Sequence, residues 1–343
     1  MMFICTPCNV ANWAASLLST REYTVIDTHT AGEPTRIVTD FPLVGETIAE
    51  LKRDMQTNQD WFRRFIMKEP RGHSDMFGAI LCPPKRKECD LGAFWMHNGG
   101  YLDMCGHGLI GVVTCAVQTK IIEPKDEILV DTSAGVVRAK VHYDGDRIRS
   151  LSFENVPAFK LRTVNVTLDN RSFPVDLLFG GNFFAHVEAK EFPVELEPWN
   201  KNVLIDLGMK IKKIVNSQEK VTHPNLPHIN SVELVEFTGP PKSQDAHAQN
   251  VVVFGRGQID RSPCGTGTCA KMALLHSEGK MRVGDVFVHE SIIRTKFNGR
   301  ILGKTKIGDY DAILPEITGS AYITGFNRLI FDENDTLVHG FLL

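Results

Sequence analysis

Met104-Cys-Gly-His-Gly108 is one of two Cys-Gly-x-Gly stretches in this 343-residue chain, and Pro263-Cys-Gly-Thr-Gly267 is the other. A mostly apolar run follows each stretch, at 109–117 and at 268–276. Each run has the length and composition of a helix that must be buried. Because the same unit occurs twice, the sequence predicts two similar halves. In each half, a central helix would be wrapped by its own small curved sheet.

Short β-rich segments bounded by Gly, Pro, Asn and Asp surround these two helices. Further helical character occurs at residues 45–67 and 197–218. Many short strands with few helices favour an α+β fold over a doubly wound parallel sheet. Strands are predicted at 22–30, 76–82, 91–97, 128–131, 135–142, 147–153, 161–167, 173–178, 230–237, 249–254, 286–290, 300–306, 320–324, 328–332 and 337–342.

Composition and charge argue against several function classes. The chain is 43% hydrophobic and 23% charged with a net charge of -3, which implies no bulk attraction to nucleic acid or to an anionic membrane. No apolar stretch is long enough to span a membrane. Residues 1–20 lack the charged and apolar regions of a signal peptide, and we interpret them as an N-terminal extension.

The eight cysteines are too sparse for a disulfide scaffold, so we expect reduced thiols and a cytoplasmic location. Cys5 and Cys8 form a C-x-x-C pair, but no second pair accompanies them to indicate a metal or redox site. We interpret four further cysteines as small buried hydrophobic residues, namely Cys82, Cys89, Cys115 and Cys269. The two that remain, Cys105 and Cys264, stand at the predicted starts of the central helices.

A cysteine at a helix start is in an unusual chemical environment. Unpaired backbone N–H groups and the positive end of the helix dipole lie there, and both favour a thiolate over a thiol. The same groups bind anions. The glycines that follow Cys105 and Cys264 let a ligand approach the backbone closely. The sequence therefore predicts two sites that each combine a thiol with an anion-binding helix start.

If the halves are pseudo-symmetric, the two helix starts can face each other across a cleft. A carboxylate held between them is stabilised, and so is the enediolate formed when its α-proton leaves. One thiolate would remove the proton from one face while the other thiol protonates the opposite face. Asp260 can accept a hydrogen bond from an ammonium group, and Thr266 can help to hold the carboxylate. This scheme inverts a stereocentre without a cofactor.

Two hypotheses from other classes remain as alternatives. A thiol-redox or metal-binding protein would use Cys5 and Cys8, or Cys105 and Cys264, and would need a metal or a disulfide to function. A non-catalytic binding protein on the same scaffold would be expected to lack one of the two thiols, yet both are present. The sequence contains no P-loop, no Rossmann glycine pattern and no His-x-x-x-His metal motif.

From about Tyr23 to the C-terminus the chain resembles the proline racemase family. The resemblance rests on four motifs, which are Asp27-Thr-His-Thr-Ala-Gly-Glu-Pro34, Glu69-Pro-Arg-Gly-His-Ser-Asp-Met-Phe-Gly78, Gly99-Gly-Tyr-Leu-Asp-Met-Cys-Gly-His-Gly108 and Asp260-Arg-Ser-Pro-Cys-Gly-Thr-Gly-Thr268. It implies a diaminopimelate-epimerase-like fold in which each half is a small β-barrel around a central helix. It also implies a homodimer and no cofactor. The halves would be residues 21–156 with about 319–343, and residues 157–318, with a boundary near Val156-Pro157.

The resemblance also assigns roles to individual residues. Cys105 and Cys264 match the paired catalytic thiols, and the backbone at four positions would hold the substrate carboxylate, namely Gly106, His107, Gly265 and Thr266. His107 and Asp260 match groups near the ring nitrogen. In the 3-hydroxyproline dehydratases of the family a threonine occupies the second cysteine position. Because Cys264 stands there in this chain, inversion is favoured over dehydration.

The residues expected around the substrate ring are Phe77, Trp95 and Phe254. Trp95 departs from the phenylalanine that the resemblance leads us to expect. An aromatic wall suits an unsubstituted pyrrolidine, since a buried hydroxyl would need a hydrogen-bond partner. Proline is therefore the favoured substrate, and a 4-hydroxyproline 2-epimerase or a broad-specificity amino-acid racemase are the alternatives. A small molecule is expected as the only partner apart from a second subunit, without nucleic acid, membrane or metal.

Overall fold

The computed structural model describes residues 20–343, and the predicted extension at 1–20, with Cys5 and Cys8, lies outside them except for Thr20. The helices are α1 Ile48–Asn58, α2 Asp60–Met67, α3 Gly106–Gln118, α4 Lys201–Gln218 and α5 Gly265–Ser277, with short 3-10 turns at Ala189–Glu191 and Pro198–Asn200. None of the helices within residues 20–343 is long and apolar enough to cross a membrane.

Eighteen strands accompany these helices in the described chain. They are β1 Thr20–Thr30, β2 Glu33–Val38, β3 Phe77–Cys82, β4 Leu91–His97, β5 Gly100–Leu102, β6 Glu127–Thr132, β7 Gly135–Asp144, β8 Arg147–Glu154, β9 Ala158–Leu168, β10 Arg171–Phe179, β11 Phe183–Glu188, β12 Val232–Gly239, β13 Ala248–Phe254, β14 Gln258–Ile259, β15 Val286–Glu290, β16 Lys296–Ile307, β17 Tyr310–Gly319 and β18 Ala321–Asp332.

The first group of strands closes into a barrel. Its hydrogen-bonded order is β18, β1, β2, β3, β4, β6, β7 and β8. Strand β8 then pairs with Glu316–Gly319 at the end of β17, which continues through Ser320 into β18. The circle of hydrogen bonds is thereby complete, and helix α3 lies inside it, in contact with β1, β2, β3, β8 and β18.

The second group of strands closes in the same way around helix α5. The order is β9, β10, β11, β12, β13, β15, β16 and β17, and β17 pairs back to β9. Each barrel contains two parallel strand pairs, one on either side of an antiparallel pair. In the first barrel, β2–β3 and β4–β6 are parallel and flank β3–β4. In the second, β11–β12 and β13–β15 are parallel and flank β12–β13. This shared pattern confirms the α+β, diaminopimelate-epimerase-like fold with two pseudo-symmetric halves.

Both central helices are buried almost from end to end. Residues 106–117 of α3 and residues 265–274 of α5 are all buried. A helix enclosed by a barrel must be apolar or small on every side, which explains the runs without helical amphipathicity that follow each Cys-Gly-x-Gly stretch. A second apolar cluster lies outside the first barrel, where Phe62, Phe65 and Ile66 of α2 pack against Phe94 and Met96 of β4.

The two helix starts touch each other where the barrels meet. A Cβ atom added at Gly106 would lie 2.6 Å from the Cα of Gly265, and one added at Gly265 would lie 2.8 Å from the Cα of Gly106. The ring of Phe153 closes the contact at 3.0 Å from the first of these positions. Glycine is thus required at both positions by the approach of two backbones, and the barrels are fixed in register at this point.

Several local predictions differ from the structure. The helix predicted at 45–67 is two helices that break at Gln59, and the one predicted at 197–218 begins only at Lys201 after a 3-10 turn. Residues 320–324 and 328–332 form one strand, β18. The strand predicted at 337–342 is wrong: this segment forms turns, and only Phe341 makes an isolated bridge, to Glu69.

Five strands were not predicted, namely β2, β5, β11, β14 and β17. The predicted boundary at Val156-Pro157 falls between β8 and β9, and the return near residue 319 falls where β17 gives way to β18. The division into 21–156 with 319–343 and 157–318 stays a prediction, since β17 pairs with strands of both barrels.

We expect Gly106→Ala to destabilise the protein by about 2 kcal/mol, because the methyl group forces two backbones apart. In an ordinary helix the same change would stabilise by about 1 kcal/mol. Urea unfolding followed by circular dichroism measures the difference. Gly325→Ala in β18 is the control, since its Cβ would meet only the end of the Asn327 side chain, at 3.4 Å. Equal stability of the two variants would contradict the close approach of the helix starts.

Candidate active site

Each of the two predicted thiols caps the helix that it begins. Cys105 is the N-cap of α3, and its Sγ accepts a hydrogen bond from the Gly108 N–H at 3.3 Å. Cys264 is the N-cap of α5, and its Sγ accepts from the Gly267 N–H at 3.4 Å. A sulfur atom takes the place of the usual Ser, Thr, Asp or Asn oxygen in both caps. The remaining N–H groups of each first turn have no acceptor within their own helix.

The two loops that carry the thiols are fixed by buried asparagines. Asn182 donates to the Met104 carbonyl at 2.6 Å and accepts from the Asp103 N–H at 3.2 Å, so the second half of the chain holds the first thiol loop. Asn250 donates to the Pro263 carbonyl at 2.7 Å. Cys264 itself has a φ of 55°, in the left-handed region that non-glycine residues rarely adopt. Such strain persists where the surrounding structure holds it, often at functional sites.

A small cavity lies between the two helix starts, and the residues that line it are all buried. Nine of the ten predicted site residues line it, namely Phe77, Cys105, Gly106, His107, Phe254, Asp260, Cys264, Gly265 and Thr266. Three apolar residues complete the lining and were not singled out from the sequence: Leu102, Met104 and Leu234. The room left between these residues is about 10 Å³, about the size of one water molecule, so a ligand of amino-acid size requires the lining residues to move apart.

Trp95 is the predicted site residue that does not line the cavity. It is fully buried inside the first barrel, where its indole lies against Gly108 in the first turn of α3. The prediction that Trp95 walls the substrate ring is therefore wrong. Alternation along β4 explains its position, because Ala93 and Trp95 face the barrel interior while Phe94 and Met96 face the outer helices.

One side of the cavity is apolar. The ring of Phe77 lies 4.5 Å from the His107 ring, edge to face, and 6.0 Å from the Phe254 ring. Leu102 and Leu234 extend this wall. A buried ligand hydroxyl directed at the wall would find no side-chain hydrogen-bond partner there, which is unfavourable by about 1–3 kcal/mol.

A buried carboxyl group and a histidine also line the cavity. Asp260 is 4% exposed, and its Oδ1 accepts from the Ser262 N–H at 2.7 Å. Burial raises the pKa of Asp260 to about 6. His107 Nδ1 lies 3.2 Å from Cys105 Sγ and 4.0 Å from Asp260 Oδ2. Burial lowers the pKa of His107 to about 3, so its ring is neutral.

Burial also raises the pKa of both thiols well above the usual value for cysteine. For Cys105, Asp260 and Glu33 add to the rise and the Gly108 N–H counteracts it. For Cys264, Asp260 and Glu236 add to the rise and the Gly267 N–H counteracts it. The hydrogen bonds of each helix start lower these pKa values, as expected, but removal from water outweighs them, so both pKa values are raised in the closed site.

The other described cysteines lie away from the cavity. Cys82, Cys89, Cys115 and Cys269 are free thiols and none of them lines it. Cys115 and Cys269 are fully buried within the central helices, and burial raises the pKa of both. Within residues 20–343, no group of three or more His, Cys, Asp or Glu side chains is arranged to hold a metal ion.

Comparison with known proteins gives one consistent result. The family model for proline racemase matches residues 25–342. The chain is 47% identical over 324 residues to the proline racemase of Acetoanaerobium sticklandii, which covers 92% of this chain and 97% of that protein. It is 45% identical over 330 residues to the proline racemase of Clostridioides difficile, which covers 94% of this chain and 98% of that protein.

A solved structure extends the comparison to three dimensions. The hydroxyproline epimerase of Agrobacterium vitis, crystallised with trans-4-hydroxy-L-proline, superimposes with a TM-score of 0.89 at 28% identity, covering 94% of this chain and 96% of that one. Fold, cavity and relatives together define an isomerase of amino-acid type. The chain belongs to the proline racemase family.

The buried carboxyl of Asp260 makes a testable prediction about stability. Because its folded pKa is near 6 and its usual value is 3.8, the native state holds the proton more tightly than the unfolded chain. Its contribution to stability is thus present below about pH 4 and is lost as the pH rises through 6. Asp260→Asn should remove this loss, which amounts to about 3 kcal/mol.

Urea unfolding at pH 5 and pH 8 measures about half of this loss, about 1.4 kcal/mol, because pKa values of 3.8 and about 6 place the other half below pH 5. The control is Asp311→Asn, since the Asp311 side chain is 90% exposed and lies on the surface strand β17. If Asp260→Asn and wild type lost the same stability between these pH values, the raised pKa of Asp260 would be refuted.

Proposed function

We propose that this enzyme racemises proline, with Cys105 and Cys264 as the two acid/base groups. The observation that carries the proposal is the pair of thiols that cap two facing helix starts on one closed cavity, with Asp260 beside both. The activity of the relatives at 45–47% identity supports the same reaction.

The cavity is complementary to an amino acid in its zwitterionic form. The first-turn N–H groups of α3 and α5, from Gly106, His107, Gly265 and Thr266, are suited to hold a carboxylate, since both helix dipoles present their positive ends there. The Asp260 carboxylate can accept a hydrogen bond from the substrate's cationic nitrogen. The apolar wall that includes Phe77 and Phe254 then receives the carbon skeleton of the ring.

Proton transfer follows from this placement. A thiolate at one cysteine takes the α-proton and becomes a thiol, while the C–H electron pair moves into the carboxylate to give an enediolate. The thiol at the other cysteine then donates its proton to the opposite face and becomes a thiolate. The helix N–H groups stabilise the enediolate charge as it develops. Each turnover exchanges the protonation states of the two cysteines, and the return of a proton restores the starting state.

The electrostatics of Asp260 explain how a thiolate can form in so closed a site. Asp260 raises the pKa of both thiols in addition to their burial. A bound ammonium group next to Asp260 offsets that negative charge. Binding of the amino acid thus lowers the cost of ionising a thiol at the point in the cycle when the thiolate is needed.

The main alternative to proline racemisation differs only in its substrate. Epimerisation of 4-hydroxyproline would use the same thiols and has support from the ligand bound to the epimerase of Agrobacterium vitis. The apolar wall favours proline, since a ring hydroxyl would be buried against Phe77, Leu102 or Phe254 without a partner.

The homodimer and the cytoplasmic location expected from the sequence stay proposals. The six described cysteines are all free, which supports a reducing compartment. Tyr322 and Phe326 lie on the outer face of β18 and are 60% and 66% exposed. Exposed aromatic residues of this kind suit an interface between subunits, and light scattering after size-exclusion chromatography determines the oligomeric state.

The direct test is conversion of L-proline and of trans-4-hydroxy-L-proline, each followed by chiral chromatography with reducing agent and without any added cofactor. We expect D-proline to accumulate until the two enantiomers are equal, and hydroxyproline to react at least tenfold more slowly, as a buried unpaired hydroxyl implies. Faster conversion of hydroxyproline would overturn the substrate assignment. Inactivity on both would overturn the proposed function.

Replacement of either thiol tests the mechanism. Cys105→Ser and Cys264→Ser should each lower kcat at least a thousandfold, because a serine hydroxyl is far too weak an acid and base at neutral pH. Binding of proline, measured by calorimetry, should change little. Cys115→Ser is the matched control, since Cys115 lies within α3 but away from the cavity. Wild-type turnover by either active-site variant would disprove the two-thiol scheme.

Phe77→Ser tests the ring pocket. A hydroxyl at this position offers a partner to a hydroxylated ring and removes part of the apolar wall. We expect the ratio of kcat/KM for proline over hydroxyproline to fall about tenfold or more. An unchanged ratio would show that Phe77 does not contact the substituted part of the ring.

A further inference from the structure

The two thiols have equivalent backbone positions but different neighbours. In each central helix, the glycine three residues after the cysteine donates its N–H to the thiol sulfur. The Cβ position of Gly108 lies within 3.2 Å of both Cys105 Sγ and Trp95 Nε1. The Cβ position of Gly267 lies within 3.2 Å of both Cys264 Sγ and Glu236 Oε1. The Trp95 indole N–H and the Cys105 thiol therefore flank one glycine, and the Glu236 carboxyl group and the Cys264 thiol flank the other, without a hydrogen bond between neighbour and thiol in either pair.

Both neighbours are fully buried and incompletely hydrogen bonded. Trp95 Nε1 has no hydrogen-bond partner, and Glu236 Oε2 has none, although Glu236 Oε1 accepts from Asn250 Nδ2 at 2.8 Å. Both side chains are 0% exposed. An unpaired buried polar atom costs about 1–3 kcal/mol, and such exceptions in a native structure call for an explanation. Stability does not explain either residue, whereas a role beside the thiols does.

We propose that Trp95 and Glu236 are positioning residues that give the two thiols opposite protonation preferences. The indole N–H dipole stabilises a thiolate at Cys105. The carboxylate of Glu236 opposes a second negative charge and keeps the proton on Cys264. The resting enzyme then holds Cys105 as the base and Cys264 as the acid. This assignment of acid and base rests on the proposed function, while the ionisation of the thiols does not.

Other charged groups also face these thiols. Glu33 also acts on Cys105, but its Oε2 accepts from the Arg261 N–H at 2.7 Å and lies 3.9 Å from the Arg261 guanidinium, which offsets its charge. Asp260 acts on both thiols but is hydrogen bonded only to Cys264, so it acts in the same direction as Glu236. Cys105 is faced by Asp260, Glu33 and His107. Cys264 is faced by Asp260, Glu236 and Thr266. Glu236 is faced by Asn250, Lys271, Glu188 and Asp260.

Lys271 is a cation that acts on Glu236, but it is hydrogen bonded to other side chains. Its Nζ donates to Glu188 Oε1 at 2.8 Å and lies 3.1 Å from both His186 Nε2 and Thr238 Oγ1. No hydrogen bond or ion pair joins Lys271 to Glu236 among the described residues. Burial raises the pKa of Glu236 to about 7, so its charge appears in the range in which the enzyme would work.

Relative rates on the two enantiomers cannot reveal this asymmetry. The equilibrium constant between two enantiomers is one, so kcat/KM must be equal in the two directions whatever the protonation states are. The informative quantity is the pH at which each thiol ionises. Alkylation by iodoacetamide reports it, because only the thiolate reacts.

The experiment alkylates the intact protein over a range from about pH 7 to about pH 11, because both thiol pKa values are raised, and quantifies the Cys105 and Cys264 peptides by mass spectrometry. In wild type we expect Cys105 to react with the lower midpoint. Glu236→Gln keeps the acceptor for Asn250 and removes the charge, so the midpoint of Cys264 should fall by about one pH unit while Cys105 is unchanged. Trp95→Phe should raise the midpoint of Cys105 by a similar amount and leave Cys264 unchanged.

Each variant is thus the control for the other, since a general opening of the site would move both midpoints together. A Cys264 midpoint that stays in place in Glu236→Gln, or moves with that of Cys105, overturns the proposal. If Trp95→Phe does not fold, the Glu236→Gln result decides alone. Shifted midpoints in a protein that does not racemise proline would support the asymmetry and reject the proposed function, so the two failures are distinguishable.

Discussion

The contact between the starts of the two central helices is the constraint on which the rest of the structure depends. Gly106 and Gly265 meet backbone to backbone, so two positive helix ends point toward one small volume. The repulsion between two half-charges about 6 Å apart is roughly 1 kcal/mol at an effective dielectric constant of about 20. Burial of a single Leu or Ile side chain contributes about 2 kcal/mol, so the apolar barrels easily hold the helices in place. The arrangement is stable and selects an anionic ligand.

Closure of the cavity then sets the chemistry of every ionisable group in it. Burial raises the pKa of Asp260 and of both thiols and lowers that of His107, so the site disfavours charge of either sign. A zwitterionic amino acid brings one charge of each sign. In the proposed function, its carboxylate would lie at the helix ends and its cation would lie beside Asp260. The substrate would therefore supply the charges that lower the free-energy cost of forming a thiolate. The closed site would also exclude water from the enediolate.

Sequence alone located the two thiols, because a cap, its glycines and the apolar helix behind it are local features that a repeat makes visible. It did not locate Asn182, Asn250 or Leu234, since distant segments bring these side chains to the cavity and no local pattern marks them. Strands β2 and β11 were missed for a related reason. Each is buried along nearly its whole length, and such strands lack the alternation that identifies a half-exposed one.

Trp95 shows a second limit of sequence reasoning. Alternation along β4 assigns it to the opposite face from Phe94, but both faces of this strand are covered, one by α3 and the other by α2. A family resemblance assigned an aromatic residue at this position to the substrate ring. The strand that carries Trp95 does reach the site, but the Trp95 side chain does not line the cavity. It lies against Gly108 in the first turn of α3, beside Cys105.

Inversion of a stereocentre needs two groups that are alike in position and unlike in protonation. The duplicated fold satisfies the first requirement, since the same order of strands places a cysteine at the same point of each central helix. With a perfectly repeated set of side chains, the one shared proton would lie equally often on either thiol, because identical surroundings give identical proton affinities. The side chains around the two thiols depart from the repeat, since Trp95 lies near one and Glu236 near the other. Such differences can give the two thiols different proton affinities without any change in backbone geometry.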